Sequence, residues 1–266
     1  MELIVNGERT WAYTGGKTFD PTLPCVVFVH GALNDHSVWT LLARWYAHHG
    51  WTVLAPDLPA HGRSRGAPLP DVQAHADWLL ALLDAAGVRE SAYVGHSMGS
   101  LIALESAARA PERATRLVMV GTAYPMKVSP ALLQTALDAP LAAIDMVNSF
   151  SISTLASKPG YPAPGMWLHG ASRALMRRTL RGAPGVNLFH HDFTVCNRYD
   201  HGLEAAAQVR CPVHFILGAA DQMTSPRVTR DIAQALNARI HSLPCGHALM
   251  QEAPEAMLAA LRASLA

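Results

Sequence analysis

The order of apolar runs along the chain predicts an α/β protein: a mostly parallel, twisted sheet with flanking helices and one inserted helical segment. Short continuous runs of β-formers recur, each running into Gly, Pro or His-Gly, which is the pattern of strands buried on both faces. Stretches of helix length separate them, and alternating strand and helix implies crossover connections. Between residues 126 and 209 the alternation stops, and helix-like pieces follow one another without a convincing buried strand.

The elements follow in order. Leu3-Ile4-Val5 and Trp11 flank Asn6-Gly7, a hairpin turn. Residues 25–29 form a buried strand ending at His30-Gly31, and residues 51–55 form another ending at Pro56-Asp57. Residues 92–94, 117–120 and 213–217 run into Gly95, Gly121 and Gly218, and residues 240–243 are strand-like. Helical spacing covers residues 38–49, 74–86, 98–109, 227–236 and 254–265. Ser129-Pro130 opens a helix through Leu132, Leu133, Ala136 and Leu137, and residues 166–180 and 204–209 resume helical composition. The expected division is a core of residues 1–125 and 210–266 with a helical cap, residues 126–209, inserted between its halves.

Composition narrows the function. The 266 residues are 50% hydrophobic and only 15% charged, which excludes disorder as the main state. Lys plus Arg is 21 and Asp plus Glu is 20, without a basic run, so nucleic-acid binding lacks its electrostatic driving force. Cys25, Cys196, Cys211 and Cys245 form no C-x-x-C pair. The first residues lack a basic stretch followed by an apolar one, and no apolar run is long enough for a bilayer, so a soluble cytoplasmic protein is expected.

In an open parallel sheet, ligands bind beyond the carboxyl ends of the strands, so chemistry belongs in the loops that follow them. Gly95-His96-Ser97-Met98-Gly99 is G-x-S-x-G set between a strand and a helix. That turn exposes Ser97 as a nucleophile, and the helix beginning there aims the Met98 N–H at a developing oxyanion. His247, in Cys245-Gly246-His247-Ala248, lies in a loop between a strand and the last helix and is the candidate base. Asp221 follows the strand at residues 213–217 and is the candidate acceptor for the second ring N–H, with Asp192 and Asp200 as weaker rivals. His96 is expected to be structural.

With the order Ser97, Asp221, His247, the chain resembles the α/β-hydrolase family over essentially its whole length. The resemblance implies a sheet of α/β-hydrolase type and makes Ala32, in His30-Gly31-Ala32-Leu33-Asn34, the second oxyanion donor, with His30 holding that loop. The family's Asp-x-x-Gly-x-Gly-x-Ser loop corresponds to residues 57–64, where Ala60 replaces the first glycine. The resemblance implies a serine hydrolase, a carboxylesterase acting on a small-molecule ester through an acyl-enzyme, without a cofactor. Carbon-carbon bond hydrolysis of meta-cleavage products, cofactor-free haloperoxidase or perhydrolase activity and a non-catalytic ligand receptor are the alternatives. Serine at the elbow argues against epoxide hydrolases and dehalogenases, and Lys17, Lys127 and Lys158 match no hydroxynitrile lyase motif.

Met166, Trp167, Phe189 and Phe193 are candidates for an apolar substrate pocket. No metal is expected, because His48-His49, His190-His191-Asp192 and His201 lack metal-ligand spacing. Arg173, Arg177, Arg178 and Arg181 share a helical face expected to be solvated.

Overall fold

In the computed structural model, which describes residues 1–153, 167–183 and 185–266, the first turn follows directly from its residues. Asn6 and Gly7 both take positive φ, 51° and 83°. This is the geometry that joins β1 (Glu2–Val5) to β2 (Glu8–Tyr13) as an antiparallel hairpin. The buried runs become β3 (Cys25–Val29), β4 (Thr52–Pro56), β5 (Ser91–His96), β6 (Ala114–Val120), β7 (Val213–Gly218) and β8 (Arg239–Leu243). Together they form one eight-stranded sheet in the order β1-β2-β4-β3-β5-β6-β7-β8. Only the β1–β2 and β2–β4 pairs are antiparallel. β6 starts at Ala114, earlier than its apolar run suggests, because Ala114 and Arg116 still pair with β5 across an irregularity.

Side chains alternate between the two faces of the sheet. Val27 and Val29 join the core under α2 (Val72–Ala85) and α3 (Met98–Arg109). Val26 and Phe28 join the other core, with Trp39 and α1 (Thr40–Ala47). Between β6 and β7 the described residues form α4 (Pro130–Asp138), α5 (Pro140–Ser151), α6 (Leu168–Gly182), α7 (Leu188–Arg198) and α8 (Gly202–Ala206). Ser129 caps α4 by accepting from the Leu132 N–H at 3.2 Å, and Pro130 occupies its first turn. The chain closes with α9 (Arg230–Ala235), α10 (Leu249–Glu252) and α11 (Pro254–Leu265), the last of which packs on the α1 face.

Strand order reverses between β3 and β5: the chain goes outward from β3 to β4, then returns past β3 to β5. Loops after two neighbouring strands diverge at such a point and leave a crevice. The loop from His30 and the turn at Ser97 flank it.

Candidate active site

Ser97 sits between β5 and α3 with φ 53° and ψ −122°, a strained backbone for any residue but glycine. Its surroundings hold it there. The Ser97 N–H donates to Val120 O at 2.9 Å, and Ser100 donates to Ser97 O through both its N–H (2.8 Å) and its hydroxyl (2.6 Å). The turn closes only because its glycines lack side chains. A Cβ on Gly95 would lie 2.0 Å from Gly99 O, and one on Gly99 would lie 2.3 Å from Val29 O.

The loop after β8 carries His247. The His247 and Ala248 N–H groups both donate to Ser151 O, at the end of α5, at 2.7 and 3.2 Å. Glu252 ties the same two segments together, accepting from the Gly246 N–H at 3.1 Å and from the Ser153 N–H at 2.9 Å. His96 is buried in the elbow, where its Nε2–H donates to His247 O at 2.9 Å. Burial keeps its ring neutral, with a pKa lowered to about 3.

Asp221 meets His247 from the end of β7, its Oδ2 2.8 Å from Nδ1. Its Oδ1 accepts from the Met223 and Thr224 N–H groups and its Oδ2 from the Thr224 hydroxyl, each at 2.8 Å. Burial opposes ionisation of Asp221, but the neighbouring His247 and the bonds from His247 and Thr224 outweigh it and hold the carboxyl well below the usual range. A carboxylate there requires Nδ1 to carry the hydrogen, which leaves Nε2 as the basic nitrogen.

Across the crevice, the loop after β3 turns at Leu33, with φ 53°. His30 supports it from beneath: Nε2 accepts from the Leu58 N–H at 3.1 Å, so Nδ1–H donates to Gly31 O at 2.9 Å. Burial, with His61 nearby, lowers the His30 pKa to about 4. Neither the Ala32 nor the Met98 N–H has an acceptor among the described residues. Ala60 takes φ 66°, so alanine adopts the left-handed turn that glycine would supply. Next to it, Asp57 accepts from the His36 and Arg63 N–H groups, each at 2.8 Å.

Ala32, Ser97 and His247 line one cavity of about 570 Å³. Its walls include Met126, Val147, Phe193 and Met223. Of the proposed pocket residues, Phe193 lines the cavity, whereas Phe189 is fully buried one helical turn away, with ring centroids 4.7 Å apart. Trp167 is 61% exposed and lies off the cavity wall, because it precedes the first turn of α6 and faces solvent. Met166 lies outside the described residues. Arg178, expected on a solvated face, reaches back to Asp35 at 2.6 Å at the cavity wall, and Arg173 pairs with Asp145 at 2.9 Å. Asp192 stands away from His247 and bonds the Leu33 N–H instead, a contact without any local sequence signal. Glu252 was equally hidden, and the residues it serves, Gly246 and Ser153, give no pattern that pairs them with it.

Sheet order, crossover helices and functional loops gathered at the carboxyl edge define a class of hydrolases. The chain belongs to the α/β-hydrolase fold family, whose model matches residues 24–254. It is 30% identical over 245 residues to a pimeloyl-[acyl-carrier protein] methyl ester esterase of Aromatoleum aromaticum, covering 87% of this chain and 94% of that one. It is 33% identical over 135 residues to lipase LipV of Mycobacterium tuberculosis, a match spanning half of this chain and 49% of the lipase. The enol-lactonase from Burkholderia xenovorans LB400 superposes with a TM-score of 0.82 at 22% identity, covering 100% of this chain and 99% of the other. The esterase of Exiguobacterium antarcticum does so with a TM-score of 0.83 at 13% identity, covering 99% and 98%. Among the described residues no helix is long and apolar enough to cross a membrane.

Proposed function

We propose that this protein is a serine hydrolase that cleaves a small-molecule carboxylic ester through an acyl-enzyme intermediate. His247 Nε2 takes the Ser97 proton as Oγ attacks the ester carbonyl, and the Ala32 and Met98 N–H groups receive the oxyanion. The imidazolium then gives its proton to the departing alcohol, and water repeats the sequence to release the acid. Asp221 fixes the ring tautomer throughout. The described residues between 126 and 209 act as a cap that walls the acyl pocket, and the chemistry calls for no cofactor. The observation that carries this reading is the 2.8 Å bond between His247 and Asp221 on the cavity that also receives Ser97.

The apolar walls favour an apolar acyl group, and no carboxylate is among the described lining residues. The esterase and lipase relatives support the reaction class. A serine-directed organophosphonate is expected to label wild type at Ser97 and to leave Ser97→Ala unmodified. That variant should lose on the order of a millionfold in kcat against a panel of short, long and aromatic acyl esters. Labelling elsewhere with full activity would overturn the assignment. Turnover of a vinylogous diketo acid with negligible ester hydrolysis would move the reaction to carbon-carbon bonds.

A further inference from the structure

Two buried side chains outside the Ser97, His247 and Asp221 set meet beneath the loop that carries Ala32. Asp192, on α7, is fully buried, and its Oδ2 lies 2.8 Å from the Leu33 nitrogen and 2.9 Å from His61 Nε2. His61, in the loop after β4, places Nδ1 2.9 Å from Pro59 O. A carbonyl only accepts, so Nδ1 carries a hydrogen, and the opposite ring nitrogen faces a carboxylate oxygen that already accepts from Leu33. Both ring nitrogens therefore donate, and the pair is an imidazolium against a carboxylate. Burial opposes charge on both partners, yet their mutual attraction prevails. It holds His61 above the ordinary histidine value and Asp192 below the carboxylate range.

The two peptide planes that flank Ala32 are each anchored. The Gly31–Ala32 plane, which presents the Ala32 N–H, is held through Gly31 O by His30 at 2.9 Å. The Ala32–Leu33 plane is held through its N–H by Asp192 at 2.8 Å and through its oxygen by the Asn34 amide at 3.1 Å. Leu33, with φ 53°, needs such an anchor, since a positive φ is costly for a residue with a Cβ. We infer that Asp192 and His61 are positioning residues for the oxyanion hole: the buried pair holds the Leu33 N–H and so sets where the Ala32 N–H is aimed. The inference rests on the ester-hydrolase reading of the same site. Through Asp192, α7 and the loop after β3 share one hydrogen bond, so the seating of the inserted helices reaches the oxyanion donor directly.

Asp192→Asn tests this, because one amide oxygen cannot accept from Leu33 and also pair with a neutral His61 nitrogen. The expected result is a fall in kcat of about 10- to 100-fold with KM changed less than about threefold, and a matching slowing of organophosphonate labelling at Ser97. Amide exchange at Leu33 should accelerate. Side-chain ¹⁵N shifts of His61 should read doubly protonated in wild type at pH 7 and singly protonated in the variant. Unchanged kcat with unchanged Leu33 exchange, or a singly protonated His61 in wild type, overturns the inference. Should Asp192→Asn fail to fold, His61→Gln carries the kinetic, labelling and Leu33 exchange readouts, with at least about a threefold loss in kcat expected; unchanged kcat there overturns it too. Wild type that is not labelled, or Ser97→Ala that still hydrolyses esters, would reject the serine mechanism instead. The exchange and ¹⁵N measurements still decide whether the anchor exists.

Discussion

Gly99→Ala separates the demands of folding from those of catalysis. The added methyl would lie 2.3 Å from Val29 O and 2.6 Å from His30 O, both backbone atoms. Carbon and oxygen come no closer than about 3.3 Å, so α3 and the end of β3 must part by about 1 Å. Alanine favours the helix by about 1 kcal/mol, whereas overpacking costs about 1–3 kcal/mol. The net loss, about 0–2 kcal/mol, is small beside a typical stability of about 5–15 kcal/mol, and the melting temperature should fall by at most about 8 °C. Activity should suffer far more. Ser97 and Met98 ride on α3, while Ala32 follows β3, so the proposed nucleophile and one proposed oxyanion donor move away from the other. A displacement of about 1 Å costs about 100-fold. Steady-state kcat/KM, the rate of organophosphonate labelling and thermal melting, taken together, test this. A folded Gly99→Ala protein with wild-type kcat/KM would refute the claim that the contact between elbow and β3 sets the catalytic geometry.

Two further outcomes are expected. Asp221→Asn keeps an oxygen for the Thr224 and Met223 amides but no longer enforces the Nδ1–H tautomer, so kcat should fall about 10⁴-fold with little change in KM, read by steady-state kinetics. Acid should destabilise the fold before the carboxylates titrate. Burial lowers the pKa of His30 and His75 to about 4 and of His96 to about 3, so between pH 6.5 and 4 the unfolded chain binds protons that the folded chain refuses. Each ring removes about 2 kcal/mol between pH 7 and 5. His61 runs the other way: with its folded pKa raised, its contribution is fullest below the unfolded value and offsets part of the loss. The depressed Asp192 and Asp221 lose their contribution only at lower pH, below the ordinary carboxylate value. Urea midpoints at pH 7 and 5 check this, and a flat profile would dismiss neutral burial of the three rings.

Much of this was legible in the linear chain because the constraints are local. The runs at residues 25–29 and 213–217 read as strands since both faces are buried and nothing polar interrupts them. The elbow was legible because Gly95 and Gly99 stand where a side chain would strike backbone. Asp221 and His247 could be placed because each follows a strand and must emerge at the same edge. Contacts across the chain were not legible. Asp192 meets His61 from 131 residues away and Leu33 from 159, and helical spacing names the face of α7 without naming what that face meets. For the same reason Phe189 and Phe193 could not be told apart, nor could Trp167 be assigned to solvent.

The carbonyl of Ser151 receives two amides from the segment bearing His247, so the end of α5 and the His247 imidazole behave as one mechanical part. Exchanging residues 130–151 with those of a relative to retune acyl preference would also reseat the imidazole. A chimera that retains the Ser151 and Ser153 junction and grafts only the preceding turns leaves that coupling intact.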